Sequence, residues 1–306
     1  MVEARQVLRL VADILGAEPL GATHMDFGHT SVTYEVALPD RQVMVRTNER
    51  AEVFAGTARN LAILAGLGLP VPHVIASDLS KARYPFAYMI LAKIPGRDLR
   101  YELPSMTPAQ MTCVAERIVD YQRRVATLPH GMGFGWVPIG ELGPFTSWRQ
   151  LVQADLDKRA SGVQGAELDR WEQRIRELAQ GLDPYLRQVV PICFLDDVTI
   201  KNVIVQGGEL QGLVDFDVVC YGDPLYMVGL TATAIVSDVG TRELFYVEEL
   251  RRCWGLTDQQ RRVVAFYAAS FALGFVRRFH AAESKEWNAR MLQAIEQWVA
   301  TATRRA

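Results

Sequence analysis

The sequence predicts an α+β fold of two lobes, a small sheet-rich lobe over residues 1–95 and a large helical lobe over residues 96–306. Three observations predict it. Short alternating apolar runs dominate before Pro95-Gly96, runs with helical period dominate after it, and one strand-rich island near residues 191–216 interrupts the helices. A length of 306 residues fits two units at roughly 150 residues each.

In chain order, Val7, Leu8, Val11, Ile14 and Leu15 recur at helical spacing. Phe27 to Leu38 and Gln42 to Arg46 alternate as strands, and a helix is expected from about Glu52 to Leu67, stopped by Gly68-Leu69-Pro70-Val71-Pro72. Val74 to Ser77 and Phe86 to Ile94 complete the first lobe as strands. Helices are then expected at Thr107 to Leu128, Ser147 to Arg159, Ala166 to Leu182, Pro224 to Val236, Thr241 to Cys253, Asp258 to His280 and Lys285 to Thr303. Thr107-Pro108-Ala109-Gln110 carries the cap, the first-turn proline and the amide of a helix start. In the island, Pro191 to Leu195 reads as a buried strand, and Gly207-Gly208 as the turn of a hairpin that ends near Phe216.

Lys and Arg number 33 against 35 Asp and Glu, a formal net charge of −2, which leaves no positive excess to attract nucleic acid or an anionic membrane. No apolar run is long enough to span a bilayer, and Glu3 stands where a leader peptide carries its basic flank. The four cysteines, Cys113, Cys193, Cys220 and Cys253, are widely spaced and form no metal or disulfide pattern. A cytoplasmic protein with reduced thiols is therefore expected, with no nucleic-acid or membrane partner. The five histidines lack metal-ligand spacing, and no Gly-x-Ser-x-Gly elbow points to a hydrolase.

The hairpin holds the candidate chemistry. Pairing Gln206 with Glu209 across the turn sets Asn202 opposite Leu213 and diagonal to Asp215, on one strand face at about 7–8 Å. An amide and a carboxylate at that distance suit a hard cation such as Mg²⁺. Asp197 lies five residues before Asn202 and follows the apolar run ending at Leu195. The order of Asp197, Asn202 and Asp215 matches the base, the metal-binding Asn and the metal-binding Asp of kinases. A carboxylate orients the acceptor hydroxyl and takes its proton, while a cation spreads the charge of the polyphosphate.

The stretches Leu195-Asp196-Asp197-Val198-Thr199-Ile200-Lys201-Asn202, Gly212-Leu213-Val214-Asp215-Phe216-Asp217 and Tyr221-Gly222-Asp223-Pro224 resemble the core of the aminoglycoside phosphotransferase family. Gly133-Phe134-Gly135, Phe145 to Arg149, Val43 to Arg46 and Leu69 to Pro72 extend the likeness toward its hygromycin-type kinases, over about residues 20 to 235. The resemblance implies a protein-kinase-like fold and transfer of a phosphoryl group from ATP or GTP, with Mg²⁺, to a hydroxyl of a small molecule. An aminoglycoside is the first expectation for that acceptor. A metabolite such as choline, a sugar or homoserine is the alternative, as is a nucleotide-binding module without activity.

By the same resemblance, Asp197 is the base and Asn202 and Asp215 are the cation ligands. Arg46 contacts the nucleotide phosphates, the loop from Gly28 to Ser31 covers them, and the backbone from Leu91 to Lys93 meets the purine. A polycationic acceptor calls for carboxylates, for which Asp196, Asp238, Glu243, Glu283 and Glu286 are candidates. Lys201 is weighed between phosphate contact and a solvated loop position. Two departures stand out: Leu195 occupies the usual His position, and Thr57 occupies the position of the helix Glu that pairs with the phosphate-contacting residue. Glu49 and Glu52 are the substitutes considered for that Glu, and Asp217 is given no ligand role.

Overall fold

The five-stranded antiparallel sheet of the first unit shows how the computed structural model, which describes residues 2–25 and 31–304, realises the α+β expectation. Its strands are β1 (Gly21–Met25), β2 (Val32–Ala37), β3 (Gln42–Asn48), β4 (Val74–Asp78) and β5 (Ala87–Ala92), in the order β1-β2-β3-β5-β4. Helix α1 (Ala4–Leu15) opens with a Glu3/Gln6 capping box and buries Val7, Leu10 and Val11 in a core shared with Val36, Val43, Val45 and Ile90. Residues 26–30 lie outside the described residues, so only the Val32–Ala37 part of the strand expected from Phe27 to Leu38 is assessed. Strand β1 escapes the periodicity because Gly-Ala-Thr-His-Met is an edge strand with no apolar alternation.

The helix expected from Glu52 to Leu67 is broken. A 3₁₀ turn covers Ala51–Phe54, and α2 runs over Thr57–Gly66 after Gly56. The segment Gly212–Val218 belongs to the same unit as Met1–Pro95. Leu213 N–H donates to the Pro70 carbonyl at 2.8 Å, and a Cβ on Gly212 would lie 2.7 Å from that same backbone oxygen, so glycine is needed at this approach.

The second unit, Gly96–Gln211 with Val219–Ala306, is mainly helical. It begins with β6 (Arg97–Asp98), α3 (Leu99–Glu102) and α4 (Pro108–Val125), the last closed at its start by the expected Thr107/Gln110 capping box. Strand β7 (Gly135–Val137) and helices α5 (Trp148–Arg159), α6 (Ala166–Gly181) and α7 (Asp183–Leu186) follow, and then strands β8 (Ile192–Phe194), β9 (Val203–Gln206), β10 (Glu209–Leu213) and β11 (Val219–Gly222). The chain closes with α8 (Leu225–Asp238), α9 (Phe245–Trp254), α10 (Asp258–Phe279) and α11 (Lys285–Thr303). Helix α10 is buried almost continuously from Val263 to Leu273 and packs against α8 and α11.

Gly207 and Gly208 turn the hairpin with φ of 60° and 81°, as a two-residue primed turn requires. The Gly207 carbonyl accepts a bond from Gln110 Nε2 on α4 at 3.1 Å, which docks the turn. Strands β6, β7 and β11 and the one-turn helices α3 and α7 are elements that periodicity missed here. Strand β11 lies between β7 and β8 and is buried at every position, so it presents no alternation to read.

Candidate active site

In the second unit, Asp197 is an exposed side chain in a buried frame. Leu195 is 2% exposed, and Val198, Thr199 and Ile200 are buried on its other side. The chain emerges from β8 into this loop at Leu195, where a histidine was expected by resemblance. Gln122 of α4, itself buried, takes over the bracing: its Nε2 donates to the Leu195 carbonyl at 2.7 Å and its Oε1 accepts from the Leu195 N–H at 3.0 Å. Farther along, Arg100 N–H donates to the Ile200 carbonyl at 2.9 Å. The Thr199 hydroxyl donates to Asp197 Oδ1 at 3.3 Å, and Asn202 Nδ2 donates to the Asp197 carbonyl at 2.9 Å. That last bond engages the amide nitrogen of Asn202 and not its oxygen, the atom a hard cation would take.

The Gly222-Asp223-Pro224 stretch supports the same unit from beneath. Asp223 is 3% exposed and accepts bonds from Tyr185 Oη at 3.0 Å, Tyr267 Oη at 2.9 Å and the Leu225 N–H at 3.0 Å. Tyr267 in turn accepts from Trp148 Nε1 at 2.7 Å. Burial raises the Asp223 pKa, and the three bonds offset that rise only in part.

In the first unit, Arg46 on β3 is the centre of a polar cluster. Its Nη1 and Nη2 donate to Asp217 Oδ1 and Oδ2 at 2.8 and 2.7 Å, a two-pronged pair. Nε and Nη2 also reach Ser31 Oγ at 3.3 and 3.2 Å, and Asp215 Oδ1 lies 3.5 Å from Nη2. Burial alone would lower the Arg46 pKa, but Asp217 and then Asp215 reverse the sign and raise it. For Asp215, burial raises the pKa, Arg46 pulls it down, and Asp217 pushes it up again, with a net rise. Asp215 has φ of 70°, a left-handed conformation that Asp tolerates better than most residues. Strand pairing has ended at Leu213, so the expected strand-face alternation stops short of Asp215, and Asn202 likewise precedes β9. A turn at Asn202 and the left-handed backbone of Asp215, not shared pleat geometry, set the two side chains.

The remaining candidates fall in several places. Gly28 lies outside the described residues. Leu91 is 6% exposed inside β5 and pairs with Met44 and Val74, so its backbone is engaged in the sheet. The Lys93 ammonium is held by Glu35 at 2.7 Å and Gln42 at 2.8 Å. Asp196 Oδ2 accepts from Trp136 Nε1 at 2.5 Å. Lys201 pairs with Asp238 at 2.7 Å, and Arg100 lies 3.8 Å from the same carboxylate. A cavity of about 570 Å³ in this unit is lined by Arg100, Lys201, Asp238, Glu283 and Trp287 among others. Glu243 stands apart on the 3₁₀ turn Arg242–Leu244, and Glu286 is exposed in the first turn of α11. Sequence reasoning passed over Gln122 and Asn60 and gave Asp217 no ligand role, yet each is bonded to a residue distant in the chain.

An antiparallel five-stranded unit followed by a helical unit with an Asp-x-x-x-x-Asn loop defines a class, the protein-kinase-like phosphotransferases. The family model described as the phosphotransferase enzyme family (APH) matches residues 26–252, and the chain belongs to that family. A thermostable mutant of aminoglycoside phosphotransferase APH(4)-Ia, in its apo form, is similar in structure with a TM-score of 0.70 at 16% identity, covering 97% of this chain and 100% of that one. The structure of the GDP and kanamycin complex of APH(2")-IIIa has a TM-score of 0.69 at 13% identity, covering 95% and 97%. A Haemophilus somnus 129PT protein, provisionally assigned as a fructosamine-3-kinase, has a TM-score of 0.60 at 16% identity, covering 95% and 96%. No curated protein matches the chain by sequence. Among the described residues no helix is long and apolar enough to cross a membrane.

Proposed function

We propose that the chain transfers the γ-phosphoryl group of ATP or GTP to a hydroxyl of a small molecule, with an aminoglycoside of the hygromycin type as the first acceptor to test. The observation that carries this reading is the exposed Asp197 carboxylate on a loop fixed by Gln122, Arg100 and Asn202. Asp197 takes the proton of the acceptor hydroxyl as that oxygen bonds to the γ-phosphorus; the bond from phosphorus to the β,γ-bridging oxygen breaks, and the nucleoside diphosphate leaves. In the first unit, which the reading makes the nucleotide-binding lobe, Arg46 meets the phosphates and the backbone near Leu91 to Lys93 meets the base. In the second unit the acceptor is bound. The Asn202 amide oxygen in the second unit and the Asp215 carboxylate in the first are each a hard oxygen donor of the kind Mg²⁺ takes; they are the residues that would hold the ion, which would neutralise charge on the phosphates.

Two structural relatives support the drug reading by what they hold. One is a ternary complex of an APH(4)-Ia mutant with AMP-PNP and hygromycin B, with 16% identity and a TM-score of 0.69, covering 99% of this chain and 100% of that one; the other is the GDP and kanamycin complex named above. A metabolite acceptor is favoured by one feature. Asp238, one of the carboxylates expected to meet a polycation, is faced by both Lys201 and Arg100, so its charge is already compensated and a polycation would gain less there than on an acidic surface. The test is transfer of labelled phosphate from ATP and GTP with Mg²⁺ to a panel of aminoglycosides, sugars and amino alcohols. Asp197→Asn is expected to lower turnover by about 10²–10⁴ while nucleotide affinity holds. Transfer to a metabolite alone would select the metabolite kinase. Mg²⁺-nucleotide binding with no transfer to any acceptor would make the chain a binding module.

A further inference from the structure

We propose that Asp217 is the positioning residue for Arg46, and that α2 acts on Arg46 through Asp217 in place of the helix glutamate expected at residue 57; this rests on reading Arg46 as the phosphate-contacting residue. Threonine has no charge with which to pair a guanidinium, but its hydroxyl can orient a carboxylate. The Thr57 hydroxyl donates to Asp217 Oδ1 at 2.7 Å, and Thr57 is 1% exposed. One turn along α2, the buried Asn60 donates through Nδ2 to the carbonyls of Phe216 at 2.9 Å and Asp217 at 3.1 Å. The helix therefore grips both the side chain and the backbone of Asp217, and Asp217 grips Arg46 with both oxygens.

The cluster accounts for one of the departures read from the sequence, Thr57, and for its match to Arg46. A two-pronged carboxylate suits the planar fork of an arginine and would be half used by a lysine, so Arg at residue 46 and Thr at residue 57 are matched through Asp217. The substitutes expected from sequence are elsewhere: Glu52 is exposed on the 3₁₀ turn, and Glu49 is exposed beyond β3. What that turn brings to Arg46 is the ring of Phe54, with its centroid 5.3 Å from the guanidinium carbon. The Arg46 side chain is 11% exposed and that of Asp217 16%, so the pair is shielded from salt.

The experiment measures Mg²⁺-ATP and Mg²⁺-GTP affinity, with thermal unfolding as a fold control, in Arg46→Ala, Asp217→Ala, the double variant and Thr57→Val. Thr57→Val keeps shape and charge and removes only the donor, so it tests the proposal even if Asp217→Ala folds poorly. Asp217→Ala is expected to weaken nucleotide binding about tenfold, Thr57→Val by about two- to threefold, and the double variant no more than Arg46→Ala alone. A merely structural role would give additive losses, and additivity overturns the proposal. Arg46→Ala weakening binding while Asp217→Ala and Thr57→Val bind as wild type would also overturn it, and so would tighter binding by Asp217→Ala, which would make Asp217 a competitor of phosphate. Unchanged affinity in Arg46→Ala would instead remove the reading of Arg46 on which the proposal stands.

Discussion

Replacing Asp223 by Ala leaves three donors without their acceptor: the Tyr267 hydroxyl, the Tyr185 hydroxyl and the Leu225 N–H. Tyr267 is 1% exposed and has no route to water, whereas the half-buried Tyr185 can turn toward solvent. The orphaned donors cost about 1–3 kcal/mol each where water cannot reach, and removing a buried acid returns part of that, so a net loss of about 3 kcal/mol is expected. With a urea slope of about 3 kcal/mol per molar, the midpoint of the transition of this unit falls by about 1 M. Trp148, bonded to Tyr267, makes the transition visible in fluorescence. The sign of the pH dependence follows from the raised native pKa. Between the unfolded value near 3.8 and that raised value the native state holds a proton that the unfolded chain has lost, so the contribution of Asp223 is full below that window and declines as pH rises through it. Asp223→Asn cannot titrate and removes that slope. An Ala variant that unfolds at the wild-type urea concentration, or an Asn variant that keeps the slope in full, would refute the role of the carboxyl.

Three further predictions follow from separate contacts. Gly222→Ala places a Cβ 2.1 Å from the Trp148 ring and is expected to cost about 1–3 kcal/mol in urea unfolding, because that ring is fully buried. Asp215→Ala is expected to abolish the strengthening of nucleotide binding by Mg²⁺. In the wild type, the raised Asp215 pKa brings proton competition on at higher pH than for an ordinary carboxylate, which a titration of Mg²⁺-dependent affinity between about pH 4 and 8 will read. Thiol reagents are expected to modify the exposed Cys113 first and to reach Cys193 and Cys220 only on unfolding. Burial pushes the Cys193 thiol up to about 12 and raises that of Cys220 as well.

The local grammar of the chain was legible without coordinates. The capping box at Thr107 and Gln110, the diglycine turn at Gly207 and Gly208 and the period of α10 and α11 each depend on residues within a turn or two of one another, where sequence spacing and spatial distance agree. The Asp-x-x-x-x-Asn loop belongs to this group, since the Asn202 bond to the Asp197 carbonyl spans only five residues. Strand β11 was not legible, because a strand buried on both faces loses the alternation that announces it.

What tertiary structure alone decided is which distant group completes each functional side chain. Arg46 carries no local mark of its partner, and the carboxylate that takes it lies 171 residues away, behind the helix from which sequence comparison would draw it. Gln122 reads as one more polar residue of α4 until β8 ends beside it and leaves the two backbone groups of Leu195 to be satisfied. Asp238 reads as a helix-end carboxylate open to a cationic ligand, yet folding sets Lys201 against it. Periodicity encodes which face of an element is buried, but the pairing of charges and amides across elements is set only when the chain closes and each buried polar group must find a partner.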